Sequence, residues 1–495
     1  MKRVLKNEKY FNRFLYRYKK GGFNACTTNL TEKESMDMRK HILVTVLAMV
    51  ATGFLFANGG SEKPAASAKG STLDPYKQAG GNFVLTTDMI GYENAEIELT
   101  WQPNPSQSLT STMQGRVDDL KGKLEKWAKA HPNVKIVPLG TTSNINDNMA
   151  KLQISVVEGN APDLVAVDSF VMPQFLEYAQ DISDVAKEQG FDYNDYFPYI
   201  KEQVIQNGQL KALWYTTDVR ALFYRKDWIQ TPPTTADELI AEGKKQAAQG
   251  RTGFIFVGGR GEGSVNNLWG MFWCQGVKLV DKDGNMALED PKNKQALTNL
   301  FAFVKRAVDE GVSPTTVINY PRDSAMFGDA AAGNVAMFLA NTSAIGHLRE
   351  IMGEDEFNAK WGMAPTPVMH AGETSTCSAG GWTNLVFAKD DLHRRLAADL
   401  AINLYSSDEA AYSWNKLESA LPCTNKQFDS FDYLQTDPYF VTEKGYLQSA
   451  STRPAVAVYS TISTECQVAL GAVISGSLTP EKAVDQVIAN VKNSL

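Results

Sequence analysis

The hydrophobic positions of the chain alternate between strand and helix patterns. The stretch "IELTWQP" alternates apolar and polar residues, which predicts a half-buried strand. Val117, Leu120, Leu124 and Trp127 then recur at the three- and four-residue spacing of an amphipathic helix. Two further strands, "VKIVPL" and "PDLVAVD", flank a second helix in "NDNMAKLQISVVEGN". This order predicts a parallel sheet with helices on its faces.

The ends of these strands give the first candidate binding residues. In sheets of this kind, ligands bind outside the carboxyl ends of the strands. Trp101, the stretch from Thr141 to Asn144, and Asp168 with Ser169 each follow a predicted strand directly. We therefore expect these residues to lie together at one rim of the sheet.

A second region of the same style begins after Asp218. "ALFYRKDWI" and "TGFIFVGG" predict strands, and "TPPTTADELIAEGKKQAAQG" predicts a capped helix that ends at Gly250. Asp283-Gly284 predicts the tight turn of a hairpin. Two regions joined across Asp218 to Tyr224 predict an α/β fold of two lobes, each a mostly parallel sheet flanked by helices.

The segment "MDMRKHILVTVLAMVATGFLFANGGSEKP" has the layout of a secretory signal. Arg39 and Lys40 precede an apolar run of 15 residues from Ile42 to Phe56, and a cleavage point is expected near Ala57. A membrane anchor is the alternative, but the run is shorter than the roughly 20 residues that a span needs. The signal peptide is therefore the favoured interpretation.

The signal divides the first part of the chain. We expect residues 1–35 to be a mis-assigned upstream extension, residues 36–57 the signal peptide, and residues 58–94 a flexible tether rich in Gly, Ser, Ala and Pro. No cysteine follows the apolar run, so a lipid anchor cannot be attached there. The expected location is the periplasm, without lipidation.

Composition narrows the classes of function. A chain of 495 residues exceeds one ordinary core, and a net charge of −7 argues against a general affinity for nucleic acid. The sequence contains no G-x-S-x-G elbow, Walker loop or H-E-x-x-H motif, and its five histidines leave little for metal or acid–base chemistry. We expect no enzyme, no metal and no cofactor.

A glycine cluster, "VGGRGEGSVNN", follows a predicted strand and precedes a helix. This is the context of a phosphate-binding loop. The dinucleotide spacing fails, because Ser264 stands where a third glycine or alanine belongs. An ordinary loop of a cleft is the favoured interpretation.

Aromatic residues at strand ends favour a carbohydrate ligand. A sugar ring offers an apolar face to an aromatic side chain and a polar rim to Asp, Asn and Arg. Trp382 follows Gly380-Gly381, and this glycine pair predicts close access of a ligand to bare backbone amides. The aromatic candidates are Trp101, Trp214, Tyr215, Trp269, Trp273 and Trp382. Each alone is more often a core residue.

Seven stretches, in order, resemble the extracellular solute-binding proteins of bacterial ABC importers, in the branch of maltose- and multiple-sugar-binding proteins. The resemblance covers the chain from about Ile97 to the end. The stretches are "KLEKWAKAHPNVKIVPL", "MAKLQISVVEGNAPDLVAVDS", "KALWYTTDVRALFYRKDWI", "PPTTADELIAEGKK", "AAGNVAMFLANTS", "AGGWTNLVFAKDD" and "RPAVAVYSTISTECQVALGAVISGSLTPEKAVDQVIANV". Together they identify the chain as resembling this family, although each motif alone is weak.

The resemblance implies a two-lobed periplasmic-binding-protein fold with a hinge and a ligand enclosed between the lobes. A ligand stabilises such a closed form only by contacting both lobes. The expected boundaries are residues 95–218 and 380–430 for lobe 1, and 219–379 and 431–495 for lobe 2. The expected partners are a small carbohydrate and the permease subunits of the importer, and the protein is expected to be a monomer that binds no nucleic acid.

The resemblance also carries over site residues one by one. Trp101, Asn144 and Asp168 would act from the first lobe, Asp218 at the crossing and Asn341 from the second lobe. Thr342-Ser343 stands where an aromatic is frequent in the family, so one expected stacking surface is missing. The full set of expected ligand-binding residues is Trp101, Asn144, Asp168, Ser169, Asp218, Trp269, Trp273, Asn341, Gly381, Trp382 and Arg453.

Two alternatives stay open. The same receptor fold could carry a polyamine, a phosphodiester or a peptide in place of a sugar. A secreted glycoside-processing enzyme is the weaker alternative, with Asp168 and Asp218 as the two carboxylates that such chemistry requires.

Overall fold

The computed structural model describes residues 73–140 and 145–494. The predicted upstream extension, the predicted signal peptide, the start of the predicted tether and Asn144 lie outside the described residues.

Strands and helices alternate along the described chain. The strands are β1 (Phe83–Leu85), β2 (Ile90–Tyr92), β3 (Ile97–Gln102), β4 (Val134–Pro138), β5 (Leu164–Asp168), β6 (Ile205–Gln206), β7 (Gln209–Leu210), β8 (Leu213–Arg225), β9 (Met337–Asn341), β10 (Trp361–Ala364), β11 (Ser378–Val386) and β12 (Ser451–Thr452). The α-helices are α1 (Gln114–Ala130), α2 (Ile145–Val157), α3 (Ser183–Glu188), α4 (Pro198–Val204), α5 (Ala236–Ala247), α6 (Gly263–Asn266), α7 (Trp269–Trp273), α8 (Pro291–Asp309), α9 (Phe327–Ala331), α10 (Ala344–Met352), α11 (Glu354–Lys360), α12 (Asp391–Ala401), α13 (Asp408–Glu418), α14 (Asn425–Ser430), α15 (Tyr433–Thr436), α16 (Pro438–Leu447), α17 (Ala457–Ile474) and α18 (Pro480–Lys492).

Side-chain caps explain where several helices begin. The hydroxyl of Thr235 accepts a hydrogen bond from the amide of Glu238 at the start of α5. Asp290 caps α8 through the amides of Lys292 and Asn293. These oxygens satisfy amides that have no partner inside the helix. The predicted capped helix over the α5 stretch is confirmed.

The main sheet has the strand order β1-β2-β4-β3-β5-β11-β8-β10, with β12 paired to β11 and β9 paired to β8. β3 runs parallel to β4 and β5, as the strand–helix alternation predicts. β8 and β11, in contrast, run antiparallel to each other, and β11 also runs antiparallel to β5. The α/β class is confirmed, but the sheet is mixed rather than mostly parallel, because β8 and β11 carry the chain across in opposite directions.

β8 is the strand that joins the two lobes. Its first part, up to Val219, pairs with β11, and its second part, from Arg220, pairs with β9 and β10. β8 therefore contributes to the sheet on both sides of the crossing, with different partner strands on each side. The predicted crossing between Asp218 and Tyr224 falls on this change of partners.

Two expectations from the sequence are corrected. Residues 83–92 are not part of a tether, since β1 and β2 form a hairpin and Ile90 pairs with Ile136 of β4. The stretch "TGFIFVGG" forms isolated bridges at Thr252 and Ile255 instead of a regular strand. This stretch also runs close to α5, since a Cβ at Gly253 would lie 2.5 Å from the backbone oxygen of Gly243.

The predicted hairpin turn is longer than two residues. Val280 and Met286 form an antiparallel bridge, and Gly284 in the turn has a φ of +80°. The carboxylate of Asp281 accepts hydrogen bonds from the amides of Asp283 and Asn285. The Asp281 amide also donates to the Asn285 oxygen, so the side chain and the backbone of Asp281 together close the turn between Asp281 and Asn285.

α17 is a largely buried core helix. It is long and apolar enough to cross a membrane by composition, and 56% of its apolar window is buried inside the protein. It packs against α18 and α8. Its buried face also carries Tyr459 and Ser463 toward the cleft described next.

Candidate ligand-binding site

A cleft of about 450 Å³ is lined from both sides of the crossing. Charged and polar side chains dominate its walls. The predicted residues that line it are Asp168, Asp218, Asn341, Gly381, Trp382 and Arg453. The charged residues that line it are Arg116, Asp168, Asp218, Arg220, Arg260, Glu262, Arg322, Asp323, Glu418 and Arg453.

Strand pairing places Trp382 at the cleft. On β11, Trp382 stands opposite Asp168 of β5 on one side and Thr216 of β8 on the other. Directly opposed residues of an antiparallel pair share one face of the sheet, so the three side chains face the same way. All three line the cleft. Trp382 packs partly against the core and is half-buried.

The two glycines before Trp382 are packing positions. A Cβ at Gly380 would lie 2.8 Å from Nη2 of Arg453. A Cβ at Gly381 would lie 1.9 Å from the backbone oxygen of Thr216 and 2.5 Å from the indole nitrogen of Trp214. The strand pairing shifts register directly after Trp382, which brings the β8 backbone close at this point.

The backbone groups of the glycine pair already have partners. The Gly381 amide donates to Oγ of Ser169, and the Ser169 amide donates to the Gly381 oxygen. The hydroxyl of Thr217 donates to the Gly380 oxygen. The prediction of backbone amides free for a ligand is therefore wrong. The two glycines are needed because neighbouring side chains and strands pack close to them, and Ser169 hydrogen-bonds to Gly381.

Arg453 is the centre of a buried ionic network. Its Nη2 donates to Oδ1 of Asp168 at 2.7 Å, and its Nη1 lies 3.4 Å from Oε1 of Glu262. Tyr459 and Ser463 of α17 donate hydroxyl hydrogen bonds to Glu262. The Arg453 side chain is 3% exposed. Asp168 and Glu262 come from opposite sides of the crossing. The guanidinium of Arg453 therefore links the two sides at the base of the cleft.

Burial and charge oppose each other in this network. Burial works against the charged guanidinium, yet Asp168 and Glu262 together raise the pKa of Arg453 above its usual range. Burial raises the pKa of Glu262, against the pull of Arg453, Ser463 and Tyr459. A paired buried charge holds its partners in place, whereas an unpaired one would be costly.

A second buried ion pair also lines the cleft. Nη2 of Arg116 lies 2.6 Å from Oε2 of Glu418, and Nε2 of Gln107 donates to Oε1 of Glu418. The hydroxyl of Tyr215 donates to Oε1 of Gln107. Burial raises the pKa of Glu418, and Arg116 opposes the rise. Gln107 thus links Tyr215 to Glu418 by hydrogen bonds, while Arg116 faces Glu418 as its ion-pair partner.

Asp218 and Asn341 both line the cleft close to the crossing. Asp218 accepts a hydrogen bond from Arg220, and burial raises the pKa of Asp218 against the attraction of that arginine. Asp323 accepts from the Asn341 amide and from the side-chain amide of Asn267. Polar groups of both lobes therefore border the cleft within one hydrogen-bonded region.

Several predicted residues lie away from the cleft. Trp101 is 1% exposed, because Ile97, Leu99 and Trp101 share the inward face of β3. Trp269 is 0% exposed, and its indole donates to the hydroxyl of Tyr459. The structure corrects the expectation that these two indoles face a ligand. Trp273 lines a separate surface groove of about 850 Å³.

Most of the charged residues of the cleft were not predicted from the sequence. Arg220 follows Asp218 by two positions on β8, and that spacing of two places both on one face of a strand. The glycine cluster holds Arg260 and Glu262, and it does line the cleft. Arg116 and Glu418 gave no sequence signal, since their contact depends on the folded chain.

Comparisons with known proteins agree with this architecture. A family model of bacterial extracellular solute-binding proteins matches residues 87–411. A probable ABC transporter-binding protein of Deinococcus radiodurans is 25% identical over 394 residues, which are 74% of this chain and 88% of that protein. The maltose-bound MalE3 of T. maritima has a TM-score of 0.67 and 22% identity, over 81% of this chain and 100% of that chain. A solute-binding protein of Thermotoga lettingae bound with α-D-tagatose has a TM-score of 0.65 and 21% identity, with the same coverage.

The fold and the cleft define an α/β binding protein of two lobes, with a cleft lined from both sides of their crossing. The chain belongs to the bacterial extracellular solute-binding protein family.

Proposed function

We propose that this protein captures a sugar between its two lobes and delivers it to the permease subunits of an ABC importer. The observation that carries the proposal is the half-buried Trp382 in a cleft lined mainly by charged and polar side chains. An aromatic face among hydrogen-bonding side chains suits a ring with an apolar face and hydroxyl groups around it. Structural relatives bound to maltose and to α-D-tagatose support the same class of ligand.

The proposal includes the ligand-contacting residues and the lobe boundaries. Trp382, Asp168 and Asp218 would contact the ligand directly, with Asn341 completing the contacts from the second lobe. Arg453 would hold Asp168 in position from below. The proposed boundaries are residues 95–218 and 380–430 for the first lobe, to which the β1–β2 hairpin is added, and 219–379 and 431–495 for the second.

The proposal places capture in the periplasm by a monomer, without chemical turnover. The signal-like segment before Ala57 supports export, and the absence of a cysteine after its apolar run supports an unlipidated protein. Asp168 and Asp218 are both engaged by arginines, and that suits fixed hydrogen-bond acceptors for a ligand.

Calorimetry of the purified protein against a panel of mono- and disaccharides tests the proposal. We expect saturable binding of at least one sugar. If no sugar binds while a polyamine, phosphodiester or peptide does, the carbohydrate assignment is wrong. Sustained release of a chromophore from a glycoside, abolished by Asp218→Asn, would instead show an enzyme.

A further inference from the structure

Two arginines of the second lobe stand at the cleft without a carboxylate partner. Arg260 and Arg322 both line the cleft and both are exposed. Within the described residues, neither arginine makes an ion pair. Nε of Arg322 donates a hydrogen bond to Oγ of Ser324 at 3.0 Å. Their terminal guanidinium nitrogens therefore remain available to a ligand.

The glycine cluster explains why these two arginines are neighbours. A Cβ at Gly259 would lie 2.7 Å from the backbone oxygens of Ile318 and Tyr320, and a Cβ at Gly261 would lie 2.0 Å from that of Pro321. The Gly259 amide also donates to the Tyr320 oxygen at 2.9 Å. Only glycine permits so close a contact between two loops.

This contact fixes the positions of the two charges. Arg260 lies between Gly259 and Gly261 on one loop, and Arg322 directly follows Pro321 on the other. The loops touch at those flanking residues, and both arginines open onto the same cleft. The cluster thus serves as a scaffold for a pair of cations, although its spacing fails the dinucleotide pattern.

The other cleft arginines are already occupied. Arg116 pairs with Glu418, Arg220 pairs with Asp218, and Arg453 pairs with Asp168 and Glu262. The fifth lining carboxylate, Asp323, is held by Asn267 and by the Asn341 amide. The cleft has five arginines and five acids, but the three paired arginines engage four of those acids. Arg260 and Arg322 therefore stand against the single carboxylate of Asp323, which leaves a local excess of positive charge in this part of the cleft.

We propose that the ligand is an acidic sugar whose anionic substituent is held between Arg260 and Arg322. The inference rests on the proposed function, since it adds a charge requirement to a sugar site. A guanidinium presents a planar fork of donors that matches the oxygens of a carboxylate or a phosphate, and it stays charged at any physiological pH. The ring would stack on Trp382 while the substituent reaches the second lobe, so both lobes take part in binding.

Matched sugar pairs test the proposal by calorimetry. The panel contains glucose, glucuronate and glucose 6-phosphate, the same three forms of galactose, and the corresponding neutral and uronic disaccharides. We expect the acidic member of a pair to bind at least roughly tenfold more tightly than the neutral one, since charge-assisted hydrogen bonds contribute more than neutral ones. The uronate and phosphate arms distinguish the two sources of negative charge. Added salt should weaken the binding of the acidic sugar more than the binding of the neutral sugar.

A double variant, Arg260→Gln with Arg322→Gln, should remove the preference for the acidic sugar and leave the affinity for its neutral partner within about twofold. Arg306→Gln with Arg395→Gln is the matched control, because it removes the same charge from surface ion pairs outside the cleft. The control should keep the preference.

The outcomes separate this inference from the proposed function. A neutral sugar that binds as tightly as its acidic partner overturns the inference and leaves sugar capture standing. A preference that survives the double variant also overturns it. If neither neutral nor acidic sugars bind, the proposed function itself fails.

Discussion

The guanidinium of Arg453 lies over the backbone of Gly380, so closely that a Cβ there would meet Nη2 at 2.8 Å. The same guanidinium holds Asp168 and Glu262. The first glycine of the pair before Trp382 therefore has a structural task, which is to admit the arginine that ties the cleft floor together.

Alanine at either glycine should destabilise the protein, to different degrees. Gly380→Ala displaces a side-chain tip, and we expect a loss of about 1–2 kcal/mol in the free energy of unfolding. Gly381→Ala meets the fixed backbone oxygen of Thr216 at 1.9 Å, so we expect a loss of about 3 kcal/mol or more. Urea unfolding measures both.

Gly445→Ala is the matched control for these variants. Gly445 lies in α16, and a Cβ there meets nothing within 4 Å. Alanine should stabilise that helix by about 0.5–1 kcal/mol. Equal effects at Gly380, Gly381 and Gly445 would contradict the packing argument.

Trp382→Ala should weaken sugar binding by about 1–3 kcal/mol, because the variant removes the large apolar face that a ring would cover. Calorimetry measures this loss. Trp101→Ala is the comparison, since Trp101 is 1% exposed in the core. It should cost about 3–5 kcal/mol in the free energy of unfolding. If Trp382→Ala destabilises the unliganded protein as strongly and leaves affinity unchanged, Trp382 is a core residue and not a stacking surface.

The order of elements was predictable because it depends on local patterns. Helical spacing and strand alternation are written in neighbouring residues, so β3, α1, β4, α2 and β5 follow from them. The position of Asp168 at a rim also followed, since it ends a buried strand. The face of a strand was harder to predict for Trp101. Its place at the end of β3 suggested the rim, whereas its spacing from Leu99 put it inside.

The ionic contacts of the cleft could not be predicted, because they join distant parts of the chain. Gln107 and Glu418 are 311 positions apart and form one hydrogen bond. Arg453 and Asp168 are 285 positions apart. Sequence patterns within one element carry no information on such pairs, and without an observed fold an arginine gives no sign of which acid it will meet.

Arg453→Met should cost about 3–5 kcal/mol in the free energy of unfolding, because Asp168 and Glu262 would be left buried without a cation. The triple variant that adds Asp168→Asn and Glu262→Gln should recover most of the loss, since it removes the stranded charges. Urea unfolding of the single and triple variants gives the comparison. A triple variant less stable than the single one would show that Asp168 and Glu262 contribute through other contacts.

Glu443 in α16 is a buried carboxyl, and we expect the stability advantage of Glu443→Gln over the unchanged protein to grow as pH rises. It is 0% exposed, Thr342 donates to its Oε1, and its Oε2 has no hydrogen-bond partner among the described residues. Burial raises the pKa of Glu443 well above its ordinary value of 4.5, and Asp218 and Asp437 raise it further against the Thr342 hydrogen bond. The folded protein therefore keeps the proton at pH values where the unfolded chain has lost it.

The sign of the pH effect follows from this difference. The stability that the protonated Glu443 contributes is fully present below pH 4.5, the ordinary value, and is lost progressively as pH rises toward the folded pKa. Glu443→Gln cannot ionise, so its advantage over the unchanged protein in urea unfolding should be smallest at about pH 4 and largest at about pH 8. Glu202→Gln makes the same side-chain replacement on the exposed surface of α4 and controls for the loss of a titratable carboxyl from the chain. An advantage that is constant with pH, or that shrinks as pH rises, would mean that Glu443 is ionised in the folded protein.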